Sequence, residues 1–569
     1  MSIQPHLAWP FSAHLGSYQA AVESGLKRLE DEHIIERIWK QDHTVWKPQP
    51  NEISNRLGWL FVAEEMGDRL RQLEALVFAA RQNGLRHAVL LGMGGSSLAP
   101  ELFSKSFGKK AGFFTLDVLD STDPQAILAL DSTINYAQTL FFVSTKSGGT
   151  VETFSFLKYF YRRALAVLGA SQIGDHFIAI TDPGSSLADI ALSYHFRTVL
   201  LNDPNIGGRY SALSYFGLAP AAFTGLDLPR LLRSVDQMAA ACRAKTSIDE
   251  NPAAVLGAIL GKLNEAGRDK LTFLLSPQLA SFGDWVEQLI AESTGKEGKG
   301  ILPVVHEPLV APADYPSDRI FVSITLAGDD RYEDSVAALA ASGHPVVALK
   351  INDLYEQGGQ FILWELATAI AGYFMGINPF DQPNVEAAKV RARQMVAVYQ
   401  MTGSLAAAKA DLQEGGISAF GVEENSLKAA LDTFLGQARR GDYIAIQAFL
   451  PPQADLTAAL IGLRGRLAKR SRLATTLGYG PRFLHSTGQL HKGDGGNGLF
   501  IQVTNSSPLD ADIPDELSAP ASTMSFGVLK LAQALGDQQA LVDAGRRVLR
   551  LHIEGELADG IEQIQAALG

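Results

Sequence analysis

HAVLLGMGGSSLAPELF, residues 87–103, reads as a short apolar run, a glycine- and serine-rich turn and the start of a helix. That order is the unit from which parallel α/β sheets are built. TLFFVSTKSGGTVETF, residues 139–154, repeats it. FFTLDVL, HFIAIT and RTVLL complete a first series of apolar runs, each followed by a turn and a helical pattern. A second series begins near Lys270 with LTFLLS, ILPVV, RIFVSIT and PVVALK. Between the two, Asp227 to Arg268 is mainly helical, with a break at DENPAA around Pro252. Beyond MGINPFDQPNVEAAK (375–389), the runs YIAIQAFL, LFIQVTN and RVLRLHI alternate with helical patterns and the glycine-rich HKGDGGNG. The spacing predicts an α/β protein. Two parallel-sheet α/β/α sandwich domains, 83–250 and 251–402, follow a helical segment, 1–82, expected to wrap the first of them. An additional C-terminal α/β domain, 403–569, comes last. AKADLQEGGISAFGVEEN (408–425), small and polar, is expected to be a linker or exposed loop.

A chain of 569 residues is too long for one hydrophobic core, which agrees with several domains. No apolar run approaches the roughly 18 residues that span a bilayer, and MSIQPHLAWPFSAHLG has no basic stretch leading into an apolar one, so a cytoplasmic location away from membranes is expected. The single cysteine, Cys242, excludes an internal disulfide and a thiolate metal cluster. A net charge of −12 argues against nucleic acid, whose phosphates must be met by Lys and Arg. A small anion is still accessible to a local cationic cluster.

The two glycine-rich turns are the strongest chemical signal. A phosphate dianion is best held by backbone N–H groups and short hydroxyls at a helix N-terminus. In the first turn Gly95 and Ser96 offer these groups; in the second Thr145, Lys146, Ser147 and Thr150 do. GMGGSS alone divides evenly between a phosphate site and a plain tight turn, and it lacks the third glycine of a dinucleotide fingerprint. Two such turns at neighbouring strand ends favour phosphate. GGRYS then places Arg209 behind Gly208, where the permanent charge can meet an oxyanion. Its bland alternative is a surface ion pair. Glu292 in AESTGKEGKG is either a general base or a helix-surface carboxylate paired with Lys296 four residues on.

GMGGSSLAP, STKSGGTVET, GGRYSALS, QLIAESTGK and GINPFDQPNVEAAK together, in this order, resemble the diagnostic segments of the glucose-6-phosphate isomerase family, over roughly Gly58 to Lys389. NRLGWL and GYGPRFLHSTGQLHKG are similar to the isomerase half of bifunctional transaldolase/phosphoglucose isomerase proteins; transaldolase activity is not implied. The resemblance implies two sugar-isomerase type domains and interconversion of glucose 6-phosphate and fructose 6-phosphate through a cis-enediolate, with no cofactor and no metal. It makes Glu292 the base and sets Arg209 near the enediolate. Gln288 lies one turn before the base, and Gln382 and Lys389 fall on the last motif. A homodimer is also implied. Isomerisation of another sugar phosphate such as mannose 6-phosphate, or a non-catalytic sugar-phosphate sensor, are the alternatives.

One departure concerns opening of the sugar ring. Family members carry a histidine after a GEP segment; the matching stretch here, HEPLVAPADYPSDR, has none at that position. His306, His485, His491 and Lys389 are the substitutes, because histidine titrates in the useful range. The segment with His485 and His491 is favoured, and with it the expectation that the third region folds over the active site.

Overall fold

The computed structural model describes residues 11–243, 247–405 and 409–569. Its first strand, β1 (Phe11–His14), joins the second sheet rather than the first. The first series of apolar runs forms β2 (His87–Gly92), β3 (Thr115–Leu119), β4 (Thr139–Ser144), β5 (Phe177–Thr181) and β6 (Thr198–Leu201), parallel throughout in the order β3-β2-β4-β5-β6. Every residue of β4 and β5 is buried, as it must be where helices cover both faces of a sheet. The chain reverses direction across this sheet between β2 and β4. Both glycine-rich turns therefore leave the carboxyl ends of the two strands that flank the switch point, where open α/β sheets bind ligands.

The second series gives β7 (Lys270–Leu275), β8 (Leu302–Val304), β9 (Arg319–Leu326) and β10 (Val346–Ile351), in the order β1-β10-β9-β7-β8 with β1 the antiparallel edge. The break at DENPAA is a helix start: Asn251 accepts a hydrogen bond from the Ala254 N–H, and Pro252, which lacks an N–H of its own, occupies the first turn. The N-terminal segment does not simply wrap the first domain. Helix Val62–Gln82 packs there, but Gln19–Asp31 lies on Pro252–Glu265, and β1 extends the second sheet.

The stretch expected to be a linker contains a hairpin, β11 (Leu412–Glu414) and β12 (Ile417–Phe420), turned through Gly415 and Gly416, both at positive φ. Ala408, its first residue, lies outside the described residues. The hairpin edges a third sheet formed by β13 (Tyr443–Phe449), β14 (Ala474–Tyr479), β15 (Gly498–Asn505) and, after the two-residue pair β16 (Asp512–Ile513) and β17 (Met524–Ser525), β18 (Arg547–Ile553). The order is β11-β12-β18-β15-β13-β14. Its four parallel strands repeat the arrangement of β2 to β5.

This third domain is docked through buried charge and aromatic contact. Ala511, Ile513, Leu517, Phe526 and Leu529 join the apolar core on one face of the first sheet, with Phe526 stacked 6.0 Å from Phe156. Lys530 Nζ lies 2.8 Å from Asp123, both side chains buried. Arg464 donates to the Val305 carbonyl at 2.7 Å, and Glu307 accepts from the Thr475 N–H at 2.8 Å. Arg482, in the turn after β14, bonds Glu101 and lies 3.2 Å from Asp120 in the first domain. Burial resists ionisation of Glu101, but Arg482 and then Lys105 outweigh it and bring the carboxyl down to about 2.

Removing one partner of a buried ion pair costs about 3 kcal/mol or more, because the other charge is stranded. Arg482→Met is expected to lower the midpoint of thermal unfolding at pH 7 by about 5 °C. The folded-state value for Glu101 lies below the ordinary 4.5, so its contribution is complete above that pH and is lost as pH falls towards 2; the two proteins should converge over that window. A variant that melts with the wild type at pH 7 would show that the pair does not hold the domain.

Candidate active site

The two turns are held against other backbone with no room to spare. A Cβ on Gly95 would lie 2.0 Å from the Gly208 carbonyl oxygen, so GMGGSS and GGRYS touch main chain to main chain. A Cβ on Gly94, at φ +54°, would lie 2.9 Å from the Cβ of His485. Ser144 donates to the Ser96 carbonyl at 3.1 Å, tying the first turn to the end of β4. In the second turn the Thr145 and Thr150 hydroxyls are 2.9 Å apart. Thr150 begins the helix Val151–Leu168 without capping it through its side chain, and the Glu152 N–H is met by Glu152's own carboxylate.

Arg209 is 2% exposed and nearly saturated. Nε donates to Ser293 at 2.7 Å, Nη1 to Gln382 at 3.0 Å, and Nη2 to the carbonyls of Pro379 and Asp381 at 2.7 and 3.1 Å. Nη1 is also 3.6 Å from Glu292 Oε1. The guanidinium thus pins the GINPFDQP loop to the end of helix Ala280–Thr294 and still presents charge beside Glu292. Gln288, one turn earlier on that helix, donates from Nε2 to Glu292 Oε2 at 3.2 Å and to the His485 carbonyl at 2.7 Å. Gln288 Oε1 is buried and has no hydrogen-bond partner among the described residues. Glu292 does not pair with Lys296. The helix ends at Thr294, and Lys296 instead reaches Asp381 Oδ1 at 2.8 Å; burial, then the charge of Arg209, brings the lysine down to about 8.

His485 is the histidine that reaches this cluster. Its Nε2 lies 2.9 Å from Glu152 Oε1, and no protein group among the described residues meets Nδ1. Burial opposes ionisation of Glu152, but the charge and hydrogen bond of His485 outweigh it and hold the carboxyl below its ordinary range. Ser147, Thr150, Glu152, Lys389, His485 and Gln533 line one cavity of about 260 Å3. The second glycine-rich turn, the last-motif lysine and the histidine of the third domain therefore share a chamber.

Two expectations need correcting. His491 is packed among Tyr443, Phe483 and Phe500 inside the third domain, and burial drives its pKa well below normal. It cannot meet substrate. His306 is bonded to Asp284 at 3.0 Å, eight residues and so about 12 Å before Glu292 along the same helix. The Lys146 ammonium is bonded to Asp182 and to the Pro204 carbonyl, the latter at 3.0 Å, rather than standing free in the turn. Reading the sequence also passed over Glu152, Ser293 and Gln533. The first two sit inside the motifs already quoted, TVET and AESTGK, whereas Gln533 lies in an unremarkable helix 381 residues beyond its partner Glu152. Among the described residues no group of three or more His, Cys, Asp or Glu side chains is arranged to hold a metal.

The model of the phosphoglucose isomerase family matches residues 62–301. A glucose-6-phosphate isomerase of Citrifermentans bemidjiense is 30% identical over 402 residues, which cover 60% of this chain and 73% of that protein. The chain belongs to the phosphoglucose isomerase family. A probable glucose-6-phosphate isomerase of Methanococcus maripaludis is 29% identical over 383 residues, covering 60% of this chain and 85% of its own length. The solved structure of a glucose-6-phosphate isomerase from Chlamydia trachomatis shares the fold over 68% of this chain and 88% of its own, with a TM-score of 0.59 at 19% identity. The family match thus takes in both turns, Arg209, Gln288 and Glu292, and stops short of His485.

The first turn and GGRYS meet main chain to main chain, so their spacing should matter to turnover. Gly95→Ala forces the first turn away from Gly208. A displacement near 1 Å costs about 100-fold in rate. The kcat/KM of Gly95→Ala on fructose 6-phosphate is expected to fall by about that factor; retention within threefold would show that the contact is not part of the site.

Proposed function

We propose that the protein interconverts D-glucose 6-phosphate and D-fructose 6-phosphate, with Glu292 as the base that carries the proton between C1 and C2. The observation that carries this reading is the carboxylate of Glu292 set 3.6 Å from the fixed cation of Arg209. A protein that only sensed a sugar phosphate would need the phosphate turns but not this pair. Removing the C2 proton of the open-chain aldose leaves charge on the adjacent oxygen as the cis-enediolate forms; Arg209 stabilises it, and a single well-placed donor of this kind contributes about 3–4 kcal/mol in other enzymes. The proton on the C2 oxygen passes through water to the C1 oxygen, and return of the carbon-bound proton from the same carboxyl to C1 leaves the C2 carbonyl and completes the change, with no electron supplied from outside. Gln288 Oε1, buried with no hydrogen-bond partner among the described residues, accepts from a substrate hydroxyl. The Thr145–Thr150 turn, with Gly95, Ser96 and Lys389, holds the phosphate, and that binding energy fixes the carbons against Glu292.

Most of the substrate is cyclic, so the ring must open first. Opening breaks the bond between the anomeric carbon and the ring oxygen: the ring oxygen gains a proton and the anomeric hydroxyl gives one up to water. His485 supplies the first proton from Nδ1, with Glu152 behind Nε2 stabilising the imidazolium. No helix among the described residues is long and apolar enough to cross a membrane, and a role in central sugar metabolism would place the protein in the cytoplasm. Homodimers remain part of this reading through the family, although His485 is supplied here within the chain.

Exchange between the α and β anomers of glucose 6-phosphate needs ring opening but no proton transfer at carbon, so it separates the two roles. Glu292→Gln is expected to lose at least 1,000-fold in isomerisation while still accelerating anomer exchange, measured by exchange NMR. His485→Gln should lose anomer exchange by 100-fold or more. Carbon-bound proton transfer surviving in Glu292→Gln would remove Glu292 as the base.

A further inference from the structure

The His485–Glu152 pair ends in a longer chain of contacts that runs across the boundary between the first and third domains. Glu152 Oε1 accepts twice, from His485 Nε2 at 2.9 Å and from Gln533 Nε2 at 2.7 Å. The Gln533 carbonyl oxygen in turn accepts from the Thr122 hydroxyl at 2.8 Å. Because a carboxylate can only accept, the amide nitrogen must face Glu152, and the Thr122 hydroxyl must then be a donor. The chain has one direction. All four side chains are largely withdrawn from water, with Thr122 and Gln533 0% and 3% exposed. Lys530, one turn earlier on the same helix, bonds Asp123, the neighbour of Thr122; Asp537, one turn later, bonds Lys492 at 2.5 Å. Residues 530, 533 and 537 share one helix face. That face presses a cation and an amide into the junction, while Asp537 pairs with Lys492 inside the third domain.

We infer that Gln533 is a positioning residue for ring opening: its amide holds the Glu152 carboxylate against His485, so that Nδ1 faces the ring oxygen only when the third domain is seated on the first. This rests on the isomerase reading. Without the amide, Glu152 is free to turn about its last side-chain torsion, and Lys389, across the same cavity, is the cation that competes for it. Gln533 touches no substrate. Its influence on the reaction passes through Glu152 and His485. A histidine supplied by a separate domain needs such a device, since a small shift of that domain would otherwise misalign the imidazole.

The test compares Gln533→Met, which keeps length and volume but cannot donate, with Gln533→Glu and Thr122→Val. Three quantities are measured: anomer exchange of glucose 6-phosphate by NMR, kcat and KM for isomerisation, and the Kd of an open-chain aldonate 6-phosphate, which needs no ring opening. Gln533→Met should lose about 10-fold in anomer exchange and in kcat while KM and the aldonate Kd stay within twofold. Thr122→Val should lose about threefold, and nothing further when combined with Gln533→Met. Gln533→Glu carries a distinct signature. A neutral carboxylic acid can still donate to Glu152, whereas an ionised one repels it, so anomer exchange should be near normal at the acid end of the profile and fall as pH rises. The charged groups facing position 533 are Glu152, His485, Lys389 and the Lys530–Asp123 and Lys492–Asp537 pairs. Anomer exchange within twofold of wild type in Gln533→Met would overturn the inference, as would a parallel loss of aldonate binding, which would make the role merely structural. Wild-type protein that performs neither isomerisation nor anomer exchange would instead refute the isomerase reading itself.

Discussion

A carboxyl taken out of water either keeps its proton, as burial makes Glu365 do, or is paired as an anion, and among the described residues Glu152 takes its side-chain donors from another domain. It stands at the start of the helix that follows the second glycine-rich turn, 4% exposed, with His485 and Gln533 of the third domain as its side-chain donors. Leaving such a group unpaired costs several kcal/mol. The requirement fixes where the third domain sits, and the same contact completes the cavity with a titratable group. Docking and chemistry are therefore one constraint. Arg482, Lys530 and the apolar residues around Phe526 spread the load over a wider surface.

The strand order explains why this is achievable. In each of the three large sheets, the first four parallel strands run so that the second lies to one side of the first and the third and fourth to the other. In the first sheet this brings both glycine-rich turns to one crevice. In the third it lets the turn after β14 project Arg482 and His485 into that crevice, while helix Phe526–Asp543, which follows β15 and the β16–β17 pair, closes over Glu152. The second sheet contributes the helix Ala280–Thr294, whose last turns carry Gln288 and Glu292.

Much of this was legible in the sequence because its cause is local. Strands β2 to β10 all coincide with apolar runs bounded by turns, and the glycines that allow the Gly95–Gly208 contact announce themselves by composition. The hairpin at 412–420 was hidden by its polar edge-strand residues, and β1 by its distance from the sheet it joins. The site divides the same way. Glu292, Arg209 and Gln288 lie in motifs whose residue types match the chemistry, and the structure brings them into contact. Choosing His485 over His491 needed coordinates, since six residues separate them and only packing sends one to the cavity and the other into an aromatic core. The partner of Lys146 was hidden as well, because an ammonium beside a glycine-rich turn gives no sign of the Asp182 that bonds it. Gln533 carries no local signal at all, being defined by a contact over hundreds of residues.

Mixing two inactive variants, Glu292→Gln and His485→Gln, tests most directly whether one chain builds the whole site. The two are unfolded together, refolded together and assayed for isomerisation of fructose 6-phosphate against each variant treated alone. Because Glu292 and His485 are joined through Gln288 within a single chain, the mixture is expected to show no more turnover than the sum of its parts. Recovery of a quarter or more of wild-type activity would mean that the histidine crosses between subunits, and that the third domain does not complete the site of its own chain.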